Sequence, residues 1–137
     1  MKEKSFKVSL LTPRMRVFQG DAIRLQAPST EGYFEVLYNH TLFLTALKVG
    51  RVRVTTEMGT EVYAISGGFA EVYHNQVSIL AETAEPSNAI DVERAQAAKE
   101  RAINRLRERT QDTDIPRAKM ALLRALNRIS TAHMGKK

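Results

Sequence analysis

A chain of 137 residues, 43% hydrophobic and 26% charged, is long enough for one core with a small appendage and too apolar to be disordered. Having no cysteine, it excludes disulfides, thiolate zinc sites and cysteine nucleophiles, and its longest apolar run, "LFLTAL", is too short to span a bilayer. The net charge of +6 is uneven: residues 1–84 carry nine Lys/Arg against eight Asp/Glu, and residues 85–137 carry twelve against seven, so attraction to phosphate or an acidic partner belongs to the second part.

The N-terminal "MKEKSFKVSLLTP" lacks the apolar core of a signal peptide, and the chain reads as cytoplasmic or peripheral. From there to residue 84 apolar residues alternate: Phe6, Val8 and Leu10; Ile23, Leu25 and Ala27; Val52 and Val54; Val62 and Ala64; Val77, Ile79 and Ala81. Period two with β-branched residues predicts half-buried strands. The strands are separated by turn chemistry at "TP" (12–13), "GD" (20–21), "PSTEG" (28–32), "EMGT" (57–60) and "HNQ" (74–76). Short strands with frequent turns predict an antiparallel sandwich or flattened barrel.

After Glu85-Pro86-Ser87-Asn88 the period changes. Asp91 is the expected N-cap of a first helix, with Ala95, Ala98, Ala102 and Leu106 as its narrow apolar stripe. That helix should fade near Arg109 in the polar "TQDTD". A second is expected from Asp114-Ile115-Pro116, since proline suits a first helical turn. Its stripe is Ala118, Leu122, Ala125 and Ile129, broadened by Leu126, and Gly135 marks its end. The short link predicts an antiparallel hairpin. Because alanine buries little area at about 25 cal/mol per Å², the hairpin is expected to be marginal.

Arginines repeat on both helices. Arg94, Arg101 and Arg105 share the offsets of Arg117, Arg124 and Arg128, and each trio lies within about 20° of one line along its helix. Two such ridges can gather guanidiniums, whose planar forks suit carboxylates and phosphates. The charge pattern alone fits a solvated face with ordinary helical ion pairs such as Asp91 with Arg94. It also fits an acidic protein surface, a phosphate ligand or, as a basic adaptor, nucleic acid, although this half lacks aromatic stacking residues and any known reading motif.

Several words of the sequence are distinctive: "VFQGDAIRLQAPSTEG" (17–32), "LTALKVGRVRV" (44–54), "AISGGFAEVYHNQVSILAETAE" (64–85) and "IDVERAQAAKERA" (90–102). With these, in this order along the whole chain, the sequence resembles the epsilon-subunit family of the rotary, proton-driven (F-type) bacterial ATP synthase, and in particular its bacillus-like, ATP-binding members. The resemblance implies an α+β fold: a ten-stranded antiparallel β-sandwich over residues 1–85, then a two-helix hairpin over residues 86–137. It implies a non-catalytic subunit at the cytoplasmic face of the cell membrane, peripheral through the complex. The sandwich would bind the gamma subunit of the stalk and the membrane c-subunit ring, coupling proton flow to ATP synthesis. Extended into the catalytic head, the helices would meet the alpha and beta subunits and inhibit ATP hydrolysis; no nucleic acid is implied.

The same resemblance implies that the folded hairpin binds ATP as a regulatory ligand, with or without magnesium, at Glu85, Ile90, Asp91, Arg94, Ala95, Arg101, Arg124 and Arg128. Asp91 would orient Arg94, while Ile90 and Ala95 would form an apolar wall. Inhibitory contacts fall to Arg117, Lys119, Arg124 and Arg128. The ring contact falls to Tyr33 and His40. The family commonly has Pro-Gly before the histidine, where this chain has Tyr38-Asn39, and often an acid where it has Tyr33.

Catalytic signatures are missing. There is no Gly-x-x-x-x-Gly-Lys-Ser/Thr phosphate loop, and Gly67-Gly68 is a weak substitute. His40, His74 and His133 lack metal-ligand spacing, Ser66 lies outside any Gly-x-Ser-x-Gly elbow, and no carboxylate pair stands out as acid and base. ATP is therefore expected to be sensed, not hydrolysed.

Overall fold

Alternating apolar residues become strands in a computed structural model of the chain, which describes residues 4–134. The strands are β1 (Phe6–Leu11), β2 (Arg16–Ala22), β3 (Arg24–Ser29), β4 (Gly32–Val36), β5 (Phe43–Thr56), β6 (Gly59–Tyr73), β7 (Gln76–Ala81) and β8 (Ala84–Pro86). They are hydrogen-bonded in the order β2-β1-β7-β6-β5-β3-β4, with β8 also on β6. Phe6, Leu10, Leu25, Ile65 and Ile79 are the largest fully buried side chains of one core.

Three details differ from expectation. Among the described residues there are eight strands, not ten, because β5 and β6 run unbroken through a corner. Along β6 the core-facing residues are Tyr63 and Ile65 before the corner and Ala70 and Val72 after it; along β5 Leu47 gives way to Val52 and Val54. The inward face thus changes parity, so each long strand serves as two. One pairing, β1 with β7, is parallel, because the sheet closes the first strand against a late one. "GD" 20–21 is not a turn: Gly20 and Asp21 lie within β2, opposite Val8 and Lys7. Their neighbour Ala22 is fully buried opposite Phe6, which carries the strand on to a bend at Ile23.

The parity change on β6 falls at Gly67 and Gly68, with φ of +117° and +144°. Both angles strain any residue with a Cβ. A Cβ on Gly68 would also run into the carbonyl oxygen of Leu80 on β7.

The helices follow the caps. In α1 (Val92–Arg107) the Asp91 Oδ1 accepts from the Arg94 amide at 3.0 Å. In α2 (Ile115–Met134) the Asp114 Oδ1 accepts from the Arg117 amide at 3.1 Å, with Pro116 in the first turn. The expected end at Gly135 lies outside the described residues. Ala95 and Ala102 of α1, with Ala118, Ala125 and Ala132 of α2, are buried at spacings of seven. That repeat keeps one small-residue line facing the partner helix. Leu122 and Ile129 are half-buried and Leu126 is largely exposed. α2 packs on α1, on β5 and β6, and on the 3-10 turn Ser87–Ala89, so it is the helix that joins the hairpin to the sheet.

Gly68→Ala should lower the stability of the sandwich by about 3 kcal/mol or more, through φ strain and the clash with Leu80. Denaturant unfolding followed in the sandwich measures this. A change under about 0.5 kcal/mol would show that the corner does not need glycine.

Candidate functional site

The second half of α2 lies over the outward face of β5 and β6, and polar groups define the contact. The Arg128 fork donates to Glu85 at the base of the hairpin, Nε to Oε1 at 2.6 Å and Nη2 to Oε2 at 3.0 Å. Two parallel charge-assisted bonds fix the guanidinium plane, and the pair is partly shielded, with side chains 24% and 36% exposed. Beside it is a cavity of about 30 Å³ lined by Ser66, Thr83, Glu85, Arg124, Asn127 and Arg128, where the Ser66 and Thr83 hydroxyls meet at 2.6 Å.

One step along α2, the Asn127 amide Nδ2 donates to the carbonyls of Gly50 at 2.8 Å and Ile65 at 3.3 Å. Those two residues are register partners across β5 and β6. Buried Thr131 donates to Asn127 Oδ1 at 3.5 Å, leaving the amide nitrogen for the sheet. Arg51 Nη1 donates to Ser130 Oγ at 2.7 Å. The apolar part of this contact is small: Ala64, Ile90 and Ala132, with Val92 at its edge. None of Asn127, Ser130 or Arg51 was marked by the sequence pattern. The only signal was a poor helix former, Asn127, in the middle of a good helix.

The predicted nucleotide residues divide into three groups. Glu85, Arg124 and Arg128 are brought together on the small cavity. Asp91 caps α1 through the Arg94 backbone amide, while the Arg94 and Arg101 side chains are exposed and do not line that cavity. Ile90 and Ala95 are buried in packing, Ile90 against Ala64 and Ala132, so neither is an open apolar wall here. The cavity has room for roughly one or two waters, against the 300–1,000 Å³ usual for ligand pockets. Arg117 and Lys119 are exposed and form no ion pair among the described residues.

Tyr33 and His40 make separate contacts. Tyr33 Oη accepts from the Arg51 amide at 3.0 Å, beside the strand segment that Asn127 grips. His40 packs edge-on to Phe43 in a loop tied to the β6–β7 turn, where the Asn39 amide donates to Asn75 Oδ1 at 2.7 Å. A larger cleft of about 320 Å³, lined in part by Arg53, Glu61, Tyr63, Asn88 and Met134, collects none of the predicted site residues. In it the Tyr63 hydroxyl donates to Glu61 at 2.9 Å; burial, that bond and the carboxylate charge all push its pKa up. Among the described residues no group of three or more His, Asp or Glu can hold a metal, and no helix is long and apolar enough to cross a membrane.

The fold is a β-sandwich carrying a helical pair that is joined to it by a largely polar contact. Comparison with known proteins gives the family. Residues 5–87 match the family model for the ATP synthase delta/epsilon chain β-sandwich domain, and residues 88–133 match that for its long α-helix domain. Similar proteins include the ATP synthase epsilon chain of Bacillus subtilis, 43% identical over 81% of this chain and 84% of that one. That of Salinibacter ruber is 44% identical over 74% of each. Among solved structures, a chain of the Euglena gracilis mitochondrial ATP synthase superposes with a TM-score of 0.82 at 25% identity, covering 95% of this chain and 81% of that one. A chain from the Tetrahymena thermophila mitochondrial ATP synthase central stalk and c-ring gives 0.59 at 16% identity over the whole of both, a likeness of fold alone. The chain belongs to the ATP synthase delta/epsilon family, as a non-catalytic subunit of the epsilon type.

Arg128→Lys should weaken docking of α2 by about 1 kcal/mol, because an ammonium cannot reproduce the two-point fork and the pair is only partly shielded. Hydrogen exchange of the α2 amides in the two proteins measures the difference. Equal protection would assign the ion pair no part in docking.

Proposed function

We propose that this chain is a rotor-stalk subunit that couples proton flow to ATP synthesis and restrains ATP hydrolysis through its helices, with ATP favouring the folded hairpin. The observation that carries this reading is the meeting of Glu85 from β8 with Arg124 and Arg128 from α2. Those charges converge only while α2 lies on the sandwich. A nucleotide is too large for the cavity between them, so it would lie across its mouth. There Arg124 and Arg128 would reach phosphate oxygens from below, with Arg94 and Arg101 of α1 reaching them from the solvent side. A ligand that binds one state stabilises it by RT ln(1 + [L]/Kd), about 2.7 kcal/mol at a hundredfold excess. An alanine seam makes that bias decisive.

In the undocked state Arg128 loses Glu85 and joins Arg117, Lys119 and Arg124 as free cations for acidic surfaces of the alpha and beta subunits. These contacts would weaken with salt. The sandwich would seat the complex at the cytoplasmic face of the membrane, with the His40 loop toward the c-subunit ring. The outward face of the long strands fits the gamma subunit. There Leu44 is 71% exposed, and the register partners Phe69 and Leu80 are 60% and 54% exposed, an apolar cluster of the kind that marks interaction surfaces.

Calorimetric titration of the isolated chain with ATP, with and without magnesium, tests the nucleotide site. Arg94→Ala with Arg124→Ala should weaken binding about a hundredfold or more if two charge-assisted phosphate contacts are lost; equal affinity in the two proteins would remove this pocket. Phe69→Glu should block assembly with the gamma subunit and leave the isolated fold intact. Normal co-purification of that variant would place the stalk contact elsewhere.

A further inference from the structure

We propose that Asn127 is the positioning residue of the helical switch: by bridging the Gly50 and Ile65 carbonyls it sets where α2 sits on the sandwich, and so whether Arg124 and Arg128 face Glu85. The proposal rests on reading the hairpin as a docked and undocked switch, but it concerns docking without nucleotide.

The geometry is specific. One side-chain amide donates to both carbonyls of a single rung, at 2.8 and 3.3 Å, and Thr131 holds its oxygen away from the sheet. Sliding α2 by one turn would move Asn127 about 5.4 Å, out of reach of both. Apolar packing cannot set that position, because Ala64 and Ala132 are small and tolerate sliding and, among the described residues, Ile90 is the only large buried side chain at the contact. The rung itself is held in a close-packed setting. Gly50 has no side chain, and a Cβ there would lie 2.8 Å from Tyr33 Oη and 2.7 Å from Pro28, which lie against it. Pro28 has no amide, and β3 shifts its register on β5 between Gln26 and Ser29. Arg51 to Ser130 is exposed, and both it and the part-buried Arg128 to Glu85 pair join two side chains, whereas Asn127 grips backbone carbonyls, so they reinforce a position that Asn127 has already selected.

The chain has no cysteine, so Met58→Cys on the sandwich and His133→Cys on α2 can carry a pair of distance labels in the full-length protein. Without nucleotide the wild-type labels should report one short, docked population. Asn127→Asp keeps the shape, removes both donors and sets a carboxylate against two carbonyls. It should raise the undocked fraction about tenfold or more, while helical circular dichroism and the sandwich unfolding transition stay unchanged. Asn127→Ala favours helix formation and should undock in the same direction, which separates lost docking from a lost helix. Wild-type labels already far apart, or either variant docked as firmly as wild type, would overturn the proposal. Failure of the wild type to bind ATP would sink the nucleotide site and leave this result standing.

Discussion

The hairpin depends on an interface that is closely fitted but only weakly apolar. Its helix–helix line consists of buried alanines, and its contact with the sandwich shares Ala132 and adds Ala64 and one isoleucine. Methyl groups allow backbones to approach closely, yet they remove little area from water. Directional bonds therefore decide where α2 rests, and these are tolerant neither of sliding nor of rotation. An interface built this way is well defined when closed and inexpensive to open. The sandwich beneath it, with Phe6, Leu10, Leu25, Ile65 and Ile79 fully enclosed, has no such weakness and can serve as a fixed base.

Local features of the fold were legible from the sequence. Strand periodicity, the cap at Asp91, the start of α2 around Asp114-Ile115-Pro116 and both alanine stripes depend on residues within one or two turns of each other. The departures all come from longer range. Gly20-Asp21 has turn chemistry, but the burial of Ala22 opposite Phe6 outweighs it. Val62 and Ala64 alternate as expected, yet the side they bury faces the hairpin, while Tyr63 and Ile65 face the sandwich core. A strand with both faces covered is readable as a strand, but not as one with two different neighbours.

The candidate site divides in the same way. Family resemblance pointed to Glu85, Arg124 and Arg128, and folding brings these together across 43 residues of chain. It also pointed to Ile90 and Ala95, whose residue types are equally suited to packing, and packing is where the structure puts them. Asn127 escaped notice because its partners are backbone carbonyls 62 and 77 residues away. No side-chain pattern marks an acceptor that every residue possesses. A polar residue in a helix is informative only once its facing surface is known.

The two roles of Arg128 connect these levels. Docked, it is held by a carboxylate of the sandwich; in the proposed undocked state the same guanidinium would be a free cation on a basic helix. Glu85 thus subtracts one positive charge from the helix whenever the hairpin is closed. Both arginine ridges are then turned either toward this local acid or outward to solvent. An acidic partner competing for α2, as proposed, would have to overcome the Asn127 bridge and the Glu85 pair together. A polyanion bound at Arg124 and Arg128 would instead add to the closed arrangement. In the proposed switch, a small apolar contact, a bridged rung and an arginine with two alternative partners would be sufficient for this asymmetry.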